Sequence, residues 1–195
     1  KSTQEVIEFL NDLTRRAKPV AEKELQELRA FAVARHQAHE IQAWDIPYYS
    51  ERLREERYNV SQEELRPYFP LPRVLDGLFG VTQRLYGMRI EPAEAEVWHP
   101  DVDFFRIIDE NGTVRGMFYL DLFARAQKRG GAWMDDCVTR RRRADGSVQI
   151  PVAYLNGNFT PPVGETPSLL THDEVLTLFH EFGHGLHHML TCVDR

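Results

Sequence analysis

The side chains best suited to chemistry lie near the end of the sequence, in the run His180-Glu181-Phe182-Gly183-His184. Residues four apart project from one face of a helix and lie about 6 Å apart along its axis, so His180 and His184 can converge on one metal ion. Zinc binds imidazole nitrogen at about 2.0–2.1 Å, and a catalytic site keeps one position for water. The pattern therefore predicts one zinc ion per active site, with both histidines as ligands.

Glu181 directly follows the first histidine, which places its carboxylate beside the metal rather than on it. Zinc lowers the pKa of a bound water to about 7. A carboxylate at this position can accept a proton from that water and pass it to the leaving nitrogen of a peptide. The sequence therefore predicts peptide-bond hydrolysis with Glu181 as the general base. The alternative is a surface helix whose two histidines face solvent.

A third protein ligand, which catalytic zinc usually has, is not evident near this motif. His188 lies two turns beyond His180, about 12 Å along the helix axis, so it does not readily share the same ion. His187 points to a neighbouring face, and both are interpreted as second-sphere or surface residues. Asp194 follows the helix too closely to fold back easily. We expect the third ligand to lie outside these 195 residues, in a longer parent chain.

The motif is predicted to lie on one helix over residues 171–191. Thr171 and Glu174 match a capping box at its start. Apolar residues then recur at helical spacing along one face. They are Val175, Leu178, Phe179, Phe182, Leu186, Met189 and Leu190. The opposite face carries the histidines, so the helix is expected to bury one side and present the other.

The rest of the chain predicts a mainly α fold with a small antiparallel β-sheet, an α+β class. Residues 1–87 form a helical block, in which Ser2 and Glu5 cap the first helix and Pro19 ends or kinks it near residue 18. Residues 88–160 contain the sheet, with hairpin signals at 109–112 and 145–146. The predicted sheet thus lies between two helical regions.

Composition narrows the possible functions. The net charge of −6 argues against a general nucleic-acid binder, and the hydrophobic content of 42% suits a globular core. No run of apolar residues is long enough to span a membrane. Cys137 and Cys192 are too few for a disulfide framework and are predicted to be free thiols, so a cytoplasmic location is expected.

Several segments carry a family resemblance. Residues 169–187 (LLTHDEVLTLFHEFGHGLH) resemble the motif region of the thimet-type oligopeptidases, the M3 metallopeptidases. Residues 68–79 resemble the helix that precedes the family's sheet, and residues 119–123 and 128–133 resemble the sheet itself. The dipeptide 158–159 precedes the motif as it does in that family. Within the family, the sequence is most similar to the bacterial oligopeptidases, and the resemblance covers nearly all 195 residues.

This resemblance implies that residues 1–195 belong to one zincin-like catalytic domain of a larger enzyme. It implies zinc at His180 and His184, a general base at Glu181, and a third ligand, a glutamate, on the next helix downstream. It also implies a deep channel that admits short peptides and excludes folded proteins. The expected partners are therefore short peptide substrates and the rest of the parent chain, with neither nucleic acid nor membrane.

The sheet is predicted to take part in substrate binding. An exposed edge strand can pair with an extended peptide through main-chain hydrogen bonds. Residues 151–159 are the candidate strand, with Asn156, Gly157 and Asn158 as substrate-binding residues and the glycine allowing close backbone approach. An ordinary structural strand is the alternative.

Two further functional alternatives stay open from the sequence. The chain could be a non-catalytic metal-binding or scaffold module, or part of a dipeptidyl carboxypeptidase of the same family. The basic run at 140–143 could recruit acidic peptides, but the negative net charge favours a solvated hairpin end.

Overall fold

The computed structural model describes residues 2–59 and 61–193. These fall into two compact units, residues 1–61 and residues 62–195. The prediction that all 195 residues belong to one catalytic domain stays a prediction. Within the described residues, no helix combines the length and apolar character needed to cross a bilayer.

The first unit consists of two helices, α1 (Thr3–His36) and α2 (Ile46–Tyr58). Ser2 and Glu5 form the predicted capping box. Of the two predicted effects of Pro19, the end of the helix near residue 18 is wrong, because α1 continues through Pro19; a kink there stays a prediction. The carbonyl that Pro19 deprives of its helical donor belongs to Arg15, which lies on an exposed stretch where water can replace that donor.

The second unit holds the remaining elements. Its helices are α3 (Gln62–Leu65), α4 (Leu71–Tyr86) and α5 (His172–Met189), with a short 3₁₀ turn at Arg66–Tyr68. Its strands are β1 (Arg89–Pro92), β2 (Asp103–Ile108), β3 (Val114–Phe123), β4 (Trp133–Val138), β5 (Arg141–Arg142), β6 (Val148–Gln149) and β7 (Val152–Phe159). The α+β class predicted from the sequence is confirmed.

Among the described residues, the main sheet has five strands in the order β1-β2-β3-β7-β4. The pairs β1–β2, β2–β3 and β4–β7 are antiparallel, but β3 and β7 run parallel. The sheet is therefore mixed, and the prediction of a purely antiparallel sheet is wrong. Both β3 and β7 bury alternate apolar residues, including Phe118 and Leu120 on one and Ala153 and Leu155 on the other. Placing these two strands side by side gathers those residues into one core.

Helices α4 and α5 cover the face of the sheet that carries this core. Phe182 of α5 and Phe79 of α4 pack with Phe118 of β3, with ring centroids 5.6 Å and 6.4 Å from the Phe118 ring. The end of α5 lies very close to β3, since a Cβ built on Gly116 would be only 2.6 Å from Cβ of Met189. Glycine at this position therefore sets how closely the helix approaches the sheet.

The other side of β3 carries a buried ionic network around Asp121, whose side chain is 3% exposed. The carboxylate accepts hydrogen bonds from Arg125 at 2.7 and 2.6 Å, from Lys128 at 2.7 Å and from the Trp98 indole at 3.0 Å. Burial by itself would raise the pKa of Asp121, but these donors outweigh burial and lower the pKa to about 2. The carboxylate is therefore ionised at any physiological pH.

Candidate active site

Helix α5, which carries the predicted motif, begins where the sequence indicates. The Thr171 hydroxyl accepts a hydrogen bond from the backbone N–H of Glu174 at 3.1 Å, and the Glu174 carboxylate accepts one from the backbone N–H of Thr171 at 2.7 Å. This confirms the predicted capping box. The negative side chain also suits the positive end of the helix dipole.

The buried face of α5 sets the rotation of the helix about its axis. Phe182 and Met189 are each 1% exposed. A Cβ built on Gly185 would lie 3.2 Å from Cδ2 of Leu155. The backbone of α5 therefore packs directly against a side chain of β7 at this point. With that side packed on the sheet, His180 and His184 are exposed and Glu181 is half-buried.

The two motif histidines lie together. Their Nε2 atoms are 3.1 Å apart, and the ring planes are inclined by 83°. Two nitrogens that share one zinc ion at about 2.0–2.1 Å in near-tetrahedral geometry lie about 3.3 Å apart. The observed separation therefore fits a pair of ligands to one ion.

A third ligand is not found with this pair. Among residues 2–59 and 61–193, no group of three His, Cys, Asp or Glu side chains is arranged to hold a metal. Asp194, which the sequence analysis set aside, lies outside the described residues. Because catalytic zinc usually has three protein ligands, the two histidines would need at least one more donor to hold it.

A cleft of about 970 Å³ opens beside the motif. Glu181 and His184 line it from α5, while Trp133, Met134 and Asp136 line it from β4. In the described part of the chain, the Glu181 carboxylate has no hydrogen bond or ion pair. A half-buried carboxylate that lines a cleft and lacks a structural partner is available to exchange a proton with a ligand there.

The edge strand beside this cleft is β4, and the prediction that residues 151–159 form an edge strand is wrong. Strand β7 pairs with β3 on one side and with β4 on the other. Asn156 pairs with Trp133 of β4, and Asn158 donates from its side chain to the Arg129 carbonyl at 2.7 Å and the Gly131 carbonyl at 2.6 Å. These contacts place β7 inside the sheet, so β4 is the edge strand on this side.

Gly157 does allow a close backbone approach, as the sequence suggests, but to β3. A Cβ built on it would be 3.1 Å from the carbonyl oxygen of Leu122 and 3.3 Å from the Phe159 ring. It lies where the pairing of β3 with β7 shifts register. That Asn156, Gly157 and Asn158 bind substrate stays an untested prediction, and its edge-strand premise is lost.

The two later histidines of α5 also line the cleft. His187 is exposed, in line with a surface position. His188 is half-buried, and its Nε2 lies 3.1 Å from the carbonyl oxygen of Val138, the last residue of β4. Sequence reasoning excluded it as a ligand but missed this contact, because the position of β4 is not encoded near the helix.

The basic run at residues 140–143 includes both exposed and half-buried side chains. Arg141 and Arg142 form the short strand β5 and are exposed, as predicted for a solvated hairpin end. Arg140 is half-buried and lines the same cleft as Glu181.

Comparison with known proteins gives a consistent result. The model of peptidase family M3 matches residues 1–194. Over all 195 residues, the chain is 58% identical to oligopeptidase A of Escherichia coli (strain K12) and 53% identical to oligopeptidase A of Haemophilus influenzae. It is 36% identical over 189 residues to the dipeptidyl carboxypeptidase of E. coli, which is 96% of this chain and 27% of that protein. The chain spans about 29% of the length of the two oligopeptidases.

Proposed function

Since this chain belongs to peptidase family M3, we propose that it forms part of the catalytic domain of a zinc-dependent metalloendopeptidase acting on short oligopeptides. One observation carries the proposal: the two Nε2 atoms of His180 and His184 are 3.1 Å apart, and Glu181 lines the cleft next to them. A surface helix with solvated histidines would not need that convergence.

His180 and His184 would hold the ion through their Nε2 atoms, with a third ligand from outside the described residues. When bound, zinc would polarise the peptide carbonyl and acidify a water molecule. Glu181 accepts the proton that the attacking water loses and delivers it to the departing amine. The Glu181 carboxylate lines the cleft beside the histidines, and no other described residue holds it in a hydrogen bond or ion pair.

The peptide itself would lie along β4. This strand is at the sheet edge in the described part of the chain, and Trp133, Met134 and Asp136 line the cleft that Glu181 also lines. An extended peptide can extend such an edge through main-chain hydrogen bonds, which tolerate many side chains. Sequence-tolerant binding of this kind suits the hydrolysis of oligopeptides.

The higher identity to oligopeptidase A than to the dipeptidyl carboxypeptidase supports internal cleavage over release of C-terminal dipeptides. A peptide with a blocked C-terminus distinguishes the two activities, because release of a C-terminal dipeptide requires a free carboxylate there. Internal cleavage of the blocked peptide supports the proposal. We further propose a cytoplasmic location, which two free, exposed cysteines suit.

The test is Glu181→Gln in the full-length protein that contains this chain. We expect turnover of an oligopeptide to fall at least a hundredfold, since general bases contribute about 10²–10⁴ in rate, while the zinc content stays unchanged. Glu165→Gln, at an exposed loop position, is the matched control and should behave as wild type. Turnover retained in Glu181→Gln would rule out this residue as the base.

A further inference from the structure

The contact of His188 with β4 has a defined direction. The acceptor is the Val138 carbonyl oxygen, 3.1 Å from Nε2 of His188. A carbonyl oxygen accepts but does not donate, so the imidazole must carry its proton on Nε2. The last turn of α5 therefore holds the last residue of β4 through a side-chain donor.

That end of β4 has reduced support from its own sheet. The pairing of β4 with β7 shifts register between Asp136 and Val138, so a bulge interrupts the ladder immediately before the residue that His188 contacts. A bulge leaves a strand locally unpaired and bends it. In the described residues no strand pairs with β4 on its other side. The hydrogen bond from His188 anchors the strand directly beside this interruption of the ladder.

The two elements joined by this bond are the ones that line the cleft. Helix α5 is held to the sheet by Phe182 and Met189, each 1% exposed, so the helix is the rigid partner. Strand β4 carries Met134 and Asp136 into the cleft lining. A bond from α5 to the end of β4 therefore sets the separation between Glu181 and the strand on which a peptide would lie.

We propose that His188 is a positioning residue that holds the edge strand β4 in register with the helix carrying His180, Glu181 and His184. It binds neither the metal nor the peptide. Its effect is on the distance between a bound peptide bond and the reacting groups, for which a displacement of about 1 Å can lower the rate about a hundredfold. This inference rests on the proposed function.

A pair of isosteric substitutions in the full-length protein tests the proposal. The side-chain amide of glutamine reaches about as far as Nε2 of histidine, whereas that of asparagine is shorter and reaches only as far as Nδ1. We expect His188→Asn to lower kcat by about tenfold to a hundredfold, with KM changed less than threefold and zinc content unchanged. His188→Gln should restore kcat to within threefold of wild type.

A second readout does not depend on activity. Amide hydrogen exchange of residues 133–138 should be faster in His188→Asn than in wild type or His188→Gln, while exchange in β3 stays unchanged. Faster exchange in β3 as well would show general unfolding and overturn the proposal. Equal loss of kcat in both variants would overturn it too, and so would wild-type behaviour of His188→Asn.

Failure of the proposed function is distinguishable from failure of the proposal for His188, because the two are tested by different measurements. If Glu181→Gln retains turnover, the assignment of the base is wrong, and if the wild-type full-length protein cleaves no oligopeptide, the proposed function is wrong. In either case hydrogen exchange in β4 still decides whether His188 holds that strand.

Discussion

The buried network around Asp121 allows a stability prediction with a definite size. Replacing Asp121 by asparagine removes the charge but keeps the shape of the side chain. Arg125 and Lys128 then lose their carboxylate partner, and the Lys128 side chain is only 6% exposed. A buried cation without its partner is strongly destabilising, so we expect the variant to be less stable than wild type at neutral pH.

The pKa of Asp121 provides part of the magnitude. It is lowered to about 2 in the folded protein, against an ordinary value of 3.8. At about 1.4 kcal/mol for each pH unit between the two values, ionisation of Asp121 stabilises the folded state by about 2–3 kcal/mol. Because the folded pKa is the lower one, this contribution is complete above about pH 5 and is lost as the pH falls toward 2. Arg125 and Lys128, left without their carboxylate partner, add to this cost. The free energy of unfolding of Asp121→Asn should therefore be about 3–5 kcal/mol lower than that of wild type at pH 7.

Native-state hydrogen exchange in the full-length protein is the suitable assay, because it reports the opening free energy of β3 without requiring a two-state transition. A loss of 3–5 kcal/mol corresponds to a fall of about 10²–10³ or more in the protection of β3 amides. Asp76→Asn is the matched control, since Asp76 lies exposed on α4. A change below tenfold in Asp121→Asn, or an equal change in the control, would refute the reasoning, and so would a difference from wild type that persists undiminished at pH 2.

Two further predictions concern packing and metal binding. Gly116→Ala should destabilise the protein by about 1–3 kcal/mol in denaturant unfolding, because the new Cβ would meet Met189 at 2.6 Å. Gly77→Ala, in a helix with no atom within 4 Å of the added Cβ, should instead stabilise it by about 0.5–1 kcal/mol. In a zinc titration of the 195-residue chain against a competing chelator, we expect weak binding that His184→Ala abolishes. Tight binding would mean that a third ligand lies within these residues and would contradict the two-histidine site.

Features encoded by neighbouring residues were predicted well from the sequence. The capping boxes at Ser2 and Thr171 mark the starts of α1 and α5. The placement of His180 and His184 on one helix face is also local, since it depends only on the helical repeat; that they bind zinc stays a prediction. These signals act within one or two turns, so a reader of the sequence has all the residues that determine them.

Pairing between distant segments was predicted less well. The sequence analysis takes residues 151–159 as the candidate edge strand, whereas the structure puts β7 between β3 and β4. A signal for the correct order does exist. Strand β4 carries Asp135 and Asp136, and charged residues are typical of exposed edges, while Val152, Ala153 and Leu155 of β7 are all buried. Charge and apolar content together therefore identify β4 as the edge strand.

The histidines of α5 show where local inference ends. Residues 180, 184 and 188 are spaced by four, so each successive side chain is rotated by about 40° around the helix axis. Helical geometry alone places the first two on one face, and their Nε2 atoms lie 3.1 Å apart. The third is about 12 Å from the first along the axis, and helical geometry predicts only that it is not a ligand. Its contact is instead with Val138, fifty residues earlier in the chain. The same spacing therefore produces a converging pair of histidines within the helix, which we propose as metal ligands, and, one turn further, a contact with the strand on which we expect the peptide to lie.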